Sequence, residues 1–533
     1  MKHTHSSLLA LVSLAPLAVA GDWGNAGGNA GRNGSTQELG PEAATLLWSG
    51  AKSSIIAWQP VTEGRRVFLV RQSSFIPSGV PNDAPIVALD LDTGAELWSV
   101  DLPYNPGEWT TWVAGVRNGR VFASRGGNGA SSQAKLYALD AATGGILWDS
   151  DDLIDAGAYD GVSFAPDGDA IVASFRDIWR IDATDGSTVW RADRQCSVSG
   201  NCGPAVYGDA VYVADATFGG HVLKRFDLAT GAFGYESAVM PGFLMQNTPM
   251  AGPDGTVYLN RVQNNPGTDF FYAFSDDGVG FAEKWNVAAN YNTAVEYAIG
   301  PDGDVYMMGP GHMLQRLDPA TGAMTGSFAL GDSASVRIAT DALGRVYVSD
   351  GEFATGTFYC LDADLTLRWS TAVTNINIGA PALAEDGTLV VAGVGSDVRA
   401  YRNPLAQDVI EISLSTGGAQ TLKLHEPGSA GMSYWILGTT SGTAPGLLVG
   451  SVLLPLNFDP YTTYTIAQPN GPVLQSSLGT VDPTGDAVCT IQLPPGAPIS
   501  PLPLTANHAA LVLDLSTAVA SFASNPTTVR IVP

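Results

Sequence analysis

Histidine, cysteine and basic side chains are scarce in this 533-residue chain, and long apolar runs are nearly absent. Beyond residue 20 the histidines are His221, His312, His425 and His508, which leaves few candidates for histidine-based acid–base or metal chemistry. Four cysteines are too few to staple an exported chain of this size. Lys and Arg number 26 against 51 Asp and Glu, a formal charge of −25 that argues against nucleic acid or an anionic membrane surface as partner. The signatures H-E-x-x-H, G-x-S-x-G, G-x-x-x-x-G-K-S/T and C-x-x-C-H do not occur. Charged residues make up 14% and hydrophobic residues 45%, so a sizeable core can form and general disorder is excluded.

Lys2, His3 and His5 precede an apolar stretch at 8–20 that ends in the A-x-A site Ala18-Val19-Ala20. This pattern predicts a secretory signal peptide over residues 1–20, too short to span a membrane. No cysteine follows the cleavage point, and no later apolar run approaches ~18 residues. The reading is an exported chain, periplasmic or extracellular, without lipid anchor or membrane span. In an oxidising compartment Cys196 and Cys202 are close enough along the chain to close a small disulfide loop. Cys360 and Cys489 read as small buried residues, and no metal-ligand spacing surrounds any of the four.

Internal repetition organises the chain. An apolar strand, an Asp, a Thr-Gly turn and a short strand ending in Trp recur as IVALDLDTGAELW to Trp98, LYALDAATGGILW to Trp148 and IWRIDATDGSTVW to Trp190. Looser copies run to Tyr235, Trp285, Phe328 and Trp369. The strand-end positions Asp90, Asp140, Asp182, Asp227, Ser275, Asp318 and Asp362 cover 272 residues in six steps, about 45 each. That is the period of a four-stranded propeller blade. In phase with it runs a tight turn at Gly64, Gly119, Gly168, Gly208, Gly255, Gly303, Gly344 and Gly387, often Pro-Asp-Gly, which supplies the φ > 0 positions of a hairpin. The D-x-D-x-D-G spacing of a calcium loop is missing. His221 and His312 each open the third strand of a repeat and read as surface or strand-end residues.

Eight hairpins accompany only seven complete phrases. The eighth repeat ends at 398–402 without a Trp strand, and 45–48 is an orphan outer strand ahead of the first hairpin. Joining the two halves predicts an all-β, eight-bladed propeller over 42–403, closed with strands from both ends. The phrases, above all Asp140, Thr143, Gly144 and Trp148, resemble those of the quinoprotein-like propellers with pyrroloquinoline-quinone (PQQ) repeats. That group includes quinoprotein alcohol dehydrogenases and outer-membrane assembly lipoproteins of the BamB type. The lead-in within 21–41, Trp23-Gly24-Asn25-Ala26-Gly27-Gly28-Asn29-Ala30-Gly31-Arg32-Asn33-Gly34, is similar too, so the resemblance covers about 22–403. It implies that Trp48, Trp98, Trp148, Trp190, Trp285 and Trp369 dock against the neighbouring blade. It also implies, for catalytic members, PQQ over the channel with calcium, an Asp base, a stacking Trp and an adjacent Cys pair. No two cysteines are adjacent here and no calcium set stands out, so no cofactor and no catalytic or metal residue is assigned.

After Pro404 the period stops. Short runs at 409–412, 421–424, 433–437, 464–466, 488–491 and 509–515, separated by Gly and Pro, predict a small antiparallel β-sandwich over 404–533. The acidic run Asp149-Ser150-Asp151-Asp152 with Asp155 reads as a solvated loop. In a propeller the loops joining blades, and those between second and third strands, share one face, and here they are the long, variable ones. A partner is expected on that face, with Trp109 and Phe243 as anchors. Arg71, Arg125, Arg176 and Arg261 end four second strands and form a partial ring for an acidic group. The plainer reading pairs these arginines with Asp215 or Asp350. The expected function is an exported, non-catalytic binding or scaffolding propeller of a bacterial envelope or exterior, with a protein, glycan or surface polymer as partner. The alternative is a PQQ-linked dehydrogenase or a polysaccharide-active propeller.

Overall fold

Apolar strands cut by Asp-Gly and Thr-Gly turns fold the repeat region into eight antiparallel sheets of four strands, the fourth sheet carrying a short fifth strand, Met240–Pro241. The computed structural model describes residues 23–533 apart from 53–58, 72–84, 105–107, 109, 127–132, 156–160, 197–202, 219, 242–247, 262–269, 290–296, 332–336, 351–354, 375–380, 393–396, 515 and 518. Blade 1 consists of Val61–Glu63, Arg66–Val70, Ile86–Asp90 and Glu96–Val100, and blades 2 to 7 repeat this order up to Leu367–Thr374. Blade 8 supplies Pro381–Leu383, Leu389–Val391 and Asp397–Tyr401, and takes Leu46–Lys52 as its outer strand, with Trp48 opposite Ala400 and Gly50 opposite Val398. Its inner strand adjoins that of blade 1, so the ring is closed. The core lies between blades: Val61, Phe68 and Ala88 of blade 1 pack against Val116, Val121 and Leu139 of blade 2. The middle strands are therefore buried on both faces and read as continuous apolar runs.

The repeated phrase has a local and a tertiary half. Locally, Asp140 Oδ1 accepts from the Thr143 amide and hydroxyl, both at 2.8 Å, which closes the turn between third and fourth strands. A register shift before the outer-strand aromatic recurs in blades 1 to 7 and twists the outer strand. In the tertiary half, that Trp lies on the Thr-Gly turn of the next blade: Trp98 Nε1 donates to Ala141 O at 3.1 Å, and Trp148 Nε1 to Ala183 O at 3.0 Å. Gly144 is required twice, because its φ is +74° and a Cβ there would sit 2.7 Å from Trp98 Cε3. Trp48, Trp190 and Trp285 make the same bond to Leu91, Leu228 and Pro319. Blade 8 has no such turn, and Trp369 Nε1 donates instead to Pro41 O at 3.0 Å.

The glycine- and asparagine-rich lead-in runs inside the ring. Its backbone bonds the inner strands of successive blades: Trp23 with Thr62, Gly24 with Val116, Ala30 with Val206, Gly31 with Ala251, Asn33 with Ile299 and Gly34 with Thr340. Asn25 Nδ2 donates to Val162 O at 3.1 Å, which adds blade 3. Gln59 accepts from the Gly27 amide at 2.7 Å and donates to Pro381 O of blade 8. Most of these contacts fall where inner strands lead into hairpins, so the lead-in fills the axis toward the hairpin face. Bulky side chains would not fit this path; a Cβ on Gly28 would lie 2.9 Å from the Trp23 indole.

The C-terminal residues form two facing sheets. One is ordered Leu405–Gln407, Gly418–His425, Asp486–Leu493, Leu474–Gln475; the other centres on Ser433–Thr439, Leu504–Asp514 and Thr527–Val532. Leu422, Cys489 and Ile491 of the first pack against Ile436, Ala510 and Val529 of the second. Two details depart from the expected antiparallel sandwich. Glu411–Ser413 pairs in parallel with Thr527–Val532. The run at 464–466 is no strand but part of the helix Pro460–Ala467, started by Asp459, whose side chain accepts from the Thr462 amide while Thr462 Oγ1 accepts from the Asp459 amide. The module sits on the hairpin face of the ring. Lys423 Nζ bonds Asp386 at 2.9 Å, Arg65 pairs with both Asp386 and Asp92, and Arg402 reaches Asp92 at 2.6 Å.

Candidate functional site on the loop face

Opposite the hairpins, the connections between blades and between second and third strands emerge together. The four arginines expected there do not form one open ring. Arg71 is paired with Glu96. Arg125 is 2% exposed; its Nε donates to Leu102 O at 3.0 Å, its guanidinium lies 5.6 Å over the Tyr104 ring, and burial draws its pKa down. Arg261 ends the strand Val257–Arg261 with its side chain outside the described residues. Arg176 holds Asp155, with Nη2 to Oδ1 at 2.7 Å. The carboxylates named in the plainer reading have other partners. Asp215 is bound by Arg194 and Lys224, and Asp350 accepts from the Tyr359 hydroxyl at 2.6 Å. Trp109, Phe243 and Cys202 lie outside the described residues, and so does the pairing of Cys202 with Cys196.

Two expected surface residues are interior. His221 is 3% exposed within the strand Gly220–Asp227, whose start is covered by the added strand Met240–Pro241. Asp155 is no solvated loop acid: it is buried on a two-stranded ribbon with Gln133, whose amide donates to it at 2.8 Å. Burial alone would raise the Asp155 pKa, but the bonds from Arg176 and Gln133 hold it below the usual carboxylate range. His312 sits in a turn at φ +60° and is half-buried.

What the structure brings together around Arg176 is a cleft of about 740 Å³ at the loop-face shoulder of blades 2 to 4. Its floor is a buried pair, Arg194 Nε on Asp215 Oδ1 at 2.8 Å, with Lys224 Nζ 3.1 Å from the same carboxylate. On its wall Arg191 makes two bonds of 2.8 Å to Asp177 and lies 5.4 Å over the Trp179 ring. Sequence reasoning found Arg176 and overlooked Arg191, Arg194 and Lys224. A signal was present: Arg191-Ala192-Asp193-Arg194-Gln195 places two arginines within five residues of an otherwise acidic chain. Leu153 alone among the cleft's lining is apolar, so the cleft suits a strongly hydrated, hydrogen-bonding ligand.

Eight sheets in a closed ring, five of them locked by an outer-strand indole to the turn of the next, define a β-propeller of the PQQ-repeat class. The chain belongs to the family described as outer membrane protein assembly factor BamB, whose model matches residues 82–269 and 311–417, more than half of its length. Among solved structures it is similar to BamB from Moraxella catarrhalis, with 16% identity, a TM-score of 0.46 and coverage of 67% of this chain and 99% of that one. It is also similar to a europium-containing methanol dehydrogenase, with 14% identity, a TM-score of 0.47 and coverage of 70% and 90%. The Dos1 propeller follows with 13% identity, a TM-score of 0.47 and coverage of 67% and 94%. No curated protein matches the chain. Among the described residues no three His, Cys, Asp or Glu side chains gather as a metal ion requires, and no helix is long and apolar enough to cross a membrane. Cys360 lies in the core shared by blades 7 and 8, Cys489 lies in the module core, and the axial indole Trp23 is packed within the lead-in. The described residues do not fit a calcium-bound quinone.

Proposed function

We propose that this chain is an exported, non-catalytic propeller that binds a protein, glycan or surface polymer at a bacterial envelope or exterior through its loop face. The observation that supports this reading is the occupation of the opposite face. The lead-in bonds the inner strand of blade after blade toward the hairpin end of the axis, and the C-terminal module is ion-paired to the same side. The cleft around Arg176 lies on the face left to a partner, and the repeat order assigns Trp109 and Phe243, both outside the described residues, to connections expected on the same face. Cross-linking of the purified chain to envelope and culture-medium fractions, with mass-spectrometric mapping, tests it. Cross-links should concentrate on the loop face, and alanine at both Trp109 and Phe243 should weaken capture while leaving the melting temperature unchanged. Capture that survives this change but is lost on removing residues 404–533 would move the function to the module. A PQQ absorbance titration coupled to dye-linked alcohol oxidation would assign a dehydrogenase instead if it showed turnover.

A further inference from the structure

The cleft at blades 2 to 4 has a definite donor and acceptor pattern. Arg176 and Arg191 each spend two guanidinium nitrogens on one carboxylate, Asp155 and Asp177 respectively, so each fork is held in a fixed plane. Both remain largely open to solvent, with 64% and 53% of the side chain exposed. Rigid neighbours hold them there. The Arg194 amide donates to Arg176 O at 2.7 Å, the Gln195 amide to Asp215 at 2.9 Å, and the Ala216 amide to Gln195 O at 2.7 Å. The connection after blade 3 is thereby pinned to its neighbours. In a chain of net charge −25, the cleft's Arg176, Arg191, Arg194 and Lys224 are matched by Asp155, Asp177, Asp193 and the floor carboxylate Asp215, so the cleft is balanced in charge where the chain as a whole is acidic. The carboxylates and the Gln133 and Gln195 amides set hydrogen-bond acceptors between those donors.

We propose that this cleft binds an acidic saccharide, a short run of uronic-acid units. A uronate carboxylate would be received by the outward Nη1 edges that Arg176 and Arg191 still present once Nε and Nη2 hold Asp155 and Asp177. The vicinal hydroxyls of a sugar both donate and accept, which matches interleaved carboxylates and guanidiniums; an acidic peptide offers few hydroxyls to those acceptors. Preorganisation lowers the ordering cost of binding, and the sparse apolar lining agrees with a hydrated ligand rather than a greasy one. This assignment rests on the reading of the loop face as the binding face and gives it a ligand class.

Calorimetric titration of the full mature chain with trigalacturonate, at about 50 mM salt where screening is weak, is the direct test. Trigalacturonate should bind, maltotriose should bind roughly tenfold more weakly, and the variant carrying Arg176→Gln and Arg191→Gln should lose roughly tenfold or more toward the uronate. Arg191→Lys keeps the charge without the fork and should also weaken binding. Arg399→Gln, which removes an exposed cation on blade 8, should leave it unchanged. Thermal melts of each variant check folding, because Asp155 and Asp177 are buried and each loses a charged partner in the double variant. Absence of trigalacturonate binding, binding unaltered in the double variant, or hexaglutamate binding as tightly as the uronate would each overturn the assignment, the last in favour of an acidic-peptide site. If uronate fails while the Trp109 and Phe243 substitutions still weaken partner capture, the saccharide assignment falls and the loop-face reading stands.

Discussion

At the residue scale the fold depends on one contact made repeatedly: an aromatic side chain of one blade laid on the glycine turn of the next. A Cβ on Gly186 would lie 2.6 Å from Trp148 Cε3, at φ +80°. Gly186→Ala should therefore cost ~1–3 kcal/mol, and Trp148→Ala about 3 kcal/mol through lost packing and a lost indole bond, both read from urea denaturation midpoints. An unchanged midpoint for either would refute the docking role. Where the aromatic is Tyr235 instead of Trp, the next blade answers with a carboxylate: Asp276 accepts from the Tyr235 and Tyr212 hydroxyls. The module holds a residue of opposite character. His508 is fully buried with Nε2 2.9 Å from the Tyr461 hydroxyl, and burial pushes its pKa down to about 3. Because the folded value lies below the unfolded one, stability is complete above the ordinary imidazole range and declines as pH falls. The loss should reach about 2–3 kcal/mol between pH 6.5 and 4.5. His508→Gln should flatten that slope in pH-dependent melts; an equal slope in both proteins would assign the acid sensitivity elsewhere.

At the element scale, closure is carried by the strand Leu46–Lys52, which comes from the far end of the chain to complete blade 8. Deleting residues 42–50 should expose the edge of Asp397–Tyr401, remove Trp48 from the blade 1 turn and lower the propeller's melting temperature by roughly 5 °C or more. A melt identical to the intact protein would contradict the closure. The module's last strand is not an expendable tail, since Thr527–Val532 lies between Leu504–Asp514 and Glu411–Ser413. Its helix shows how local chemistry overrides a short apolar run. Tyr464-Thr465-Ile466 looks like a strand in isolation, but Asp459-Pro460 and Thr462 supply a cap, a first-turn proline and a reciprocal bond.

At the scale of the whole molecule, propeller and module meet at a charged seam that is sensitive to pH. Glu38 of the lead-in is raised to about 7, chiefly by burial and then by Asp386 and Glu385 beside it. Its folded pKa exceeds the unfolded one, so its contribution is intact in acid and is lost as pH climbs from the ordinary glutamate range through 7. Glu38→Gln should be more stable than the parent at pH 8, by on the order of 2 kcal/mol, and equal to it near pH 4.5. Parallel melting curves at both pH values would remove Glu38 from the seam's energetics. The two windows overlap between about pH 4.5 and 6.5, where the gain from one group offsets the loss from the other, so their summed contribution should be nearly flat there and fall on either side.

The sequence by itself determined the blade period, the hairpins, the Trp-bearing outer strands and, by counting eight hairpins against seven phrases, a ring closed from both ends. These are written locally, in strand alternation and in turn residues whose backbone geometry few others adopt. Tertiary structure alone decided that the lead-in runs along the axis, since Gly34 must meet Thr340 and Asn25 must meet Val162. It also decided which arginines are spent inside a blade and which stand open: Arg125 lies within the strand Arg120–Gly126 and is buried, whereas Arg176, expected at a strand end, lies beyond Ala170–Ala173 in the turn to the third strand and is open. The seam at Asp386 was equally hidden, for it joins Arg65, Asp386 and Lys423 from three distant stretches of chain. Burial and charge pairing are sums over neighbours that the ring assembles, and no single repeat contains them.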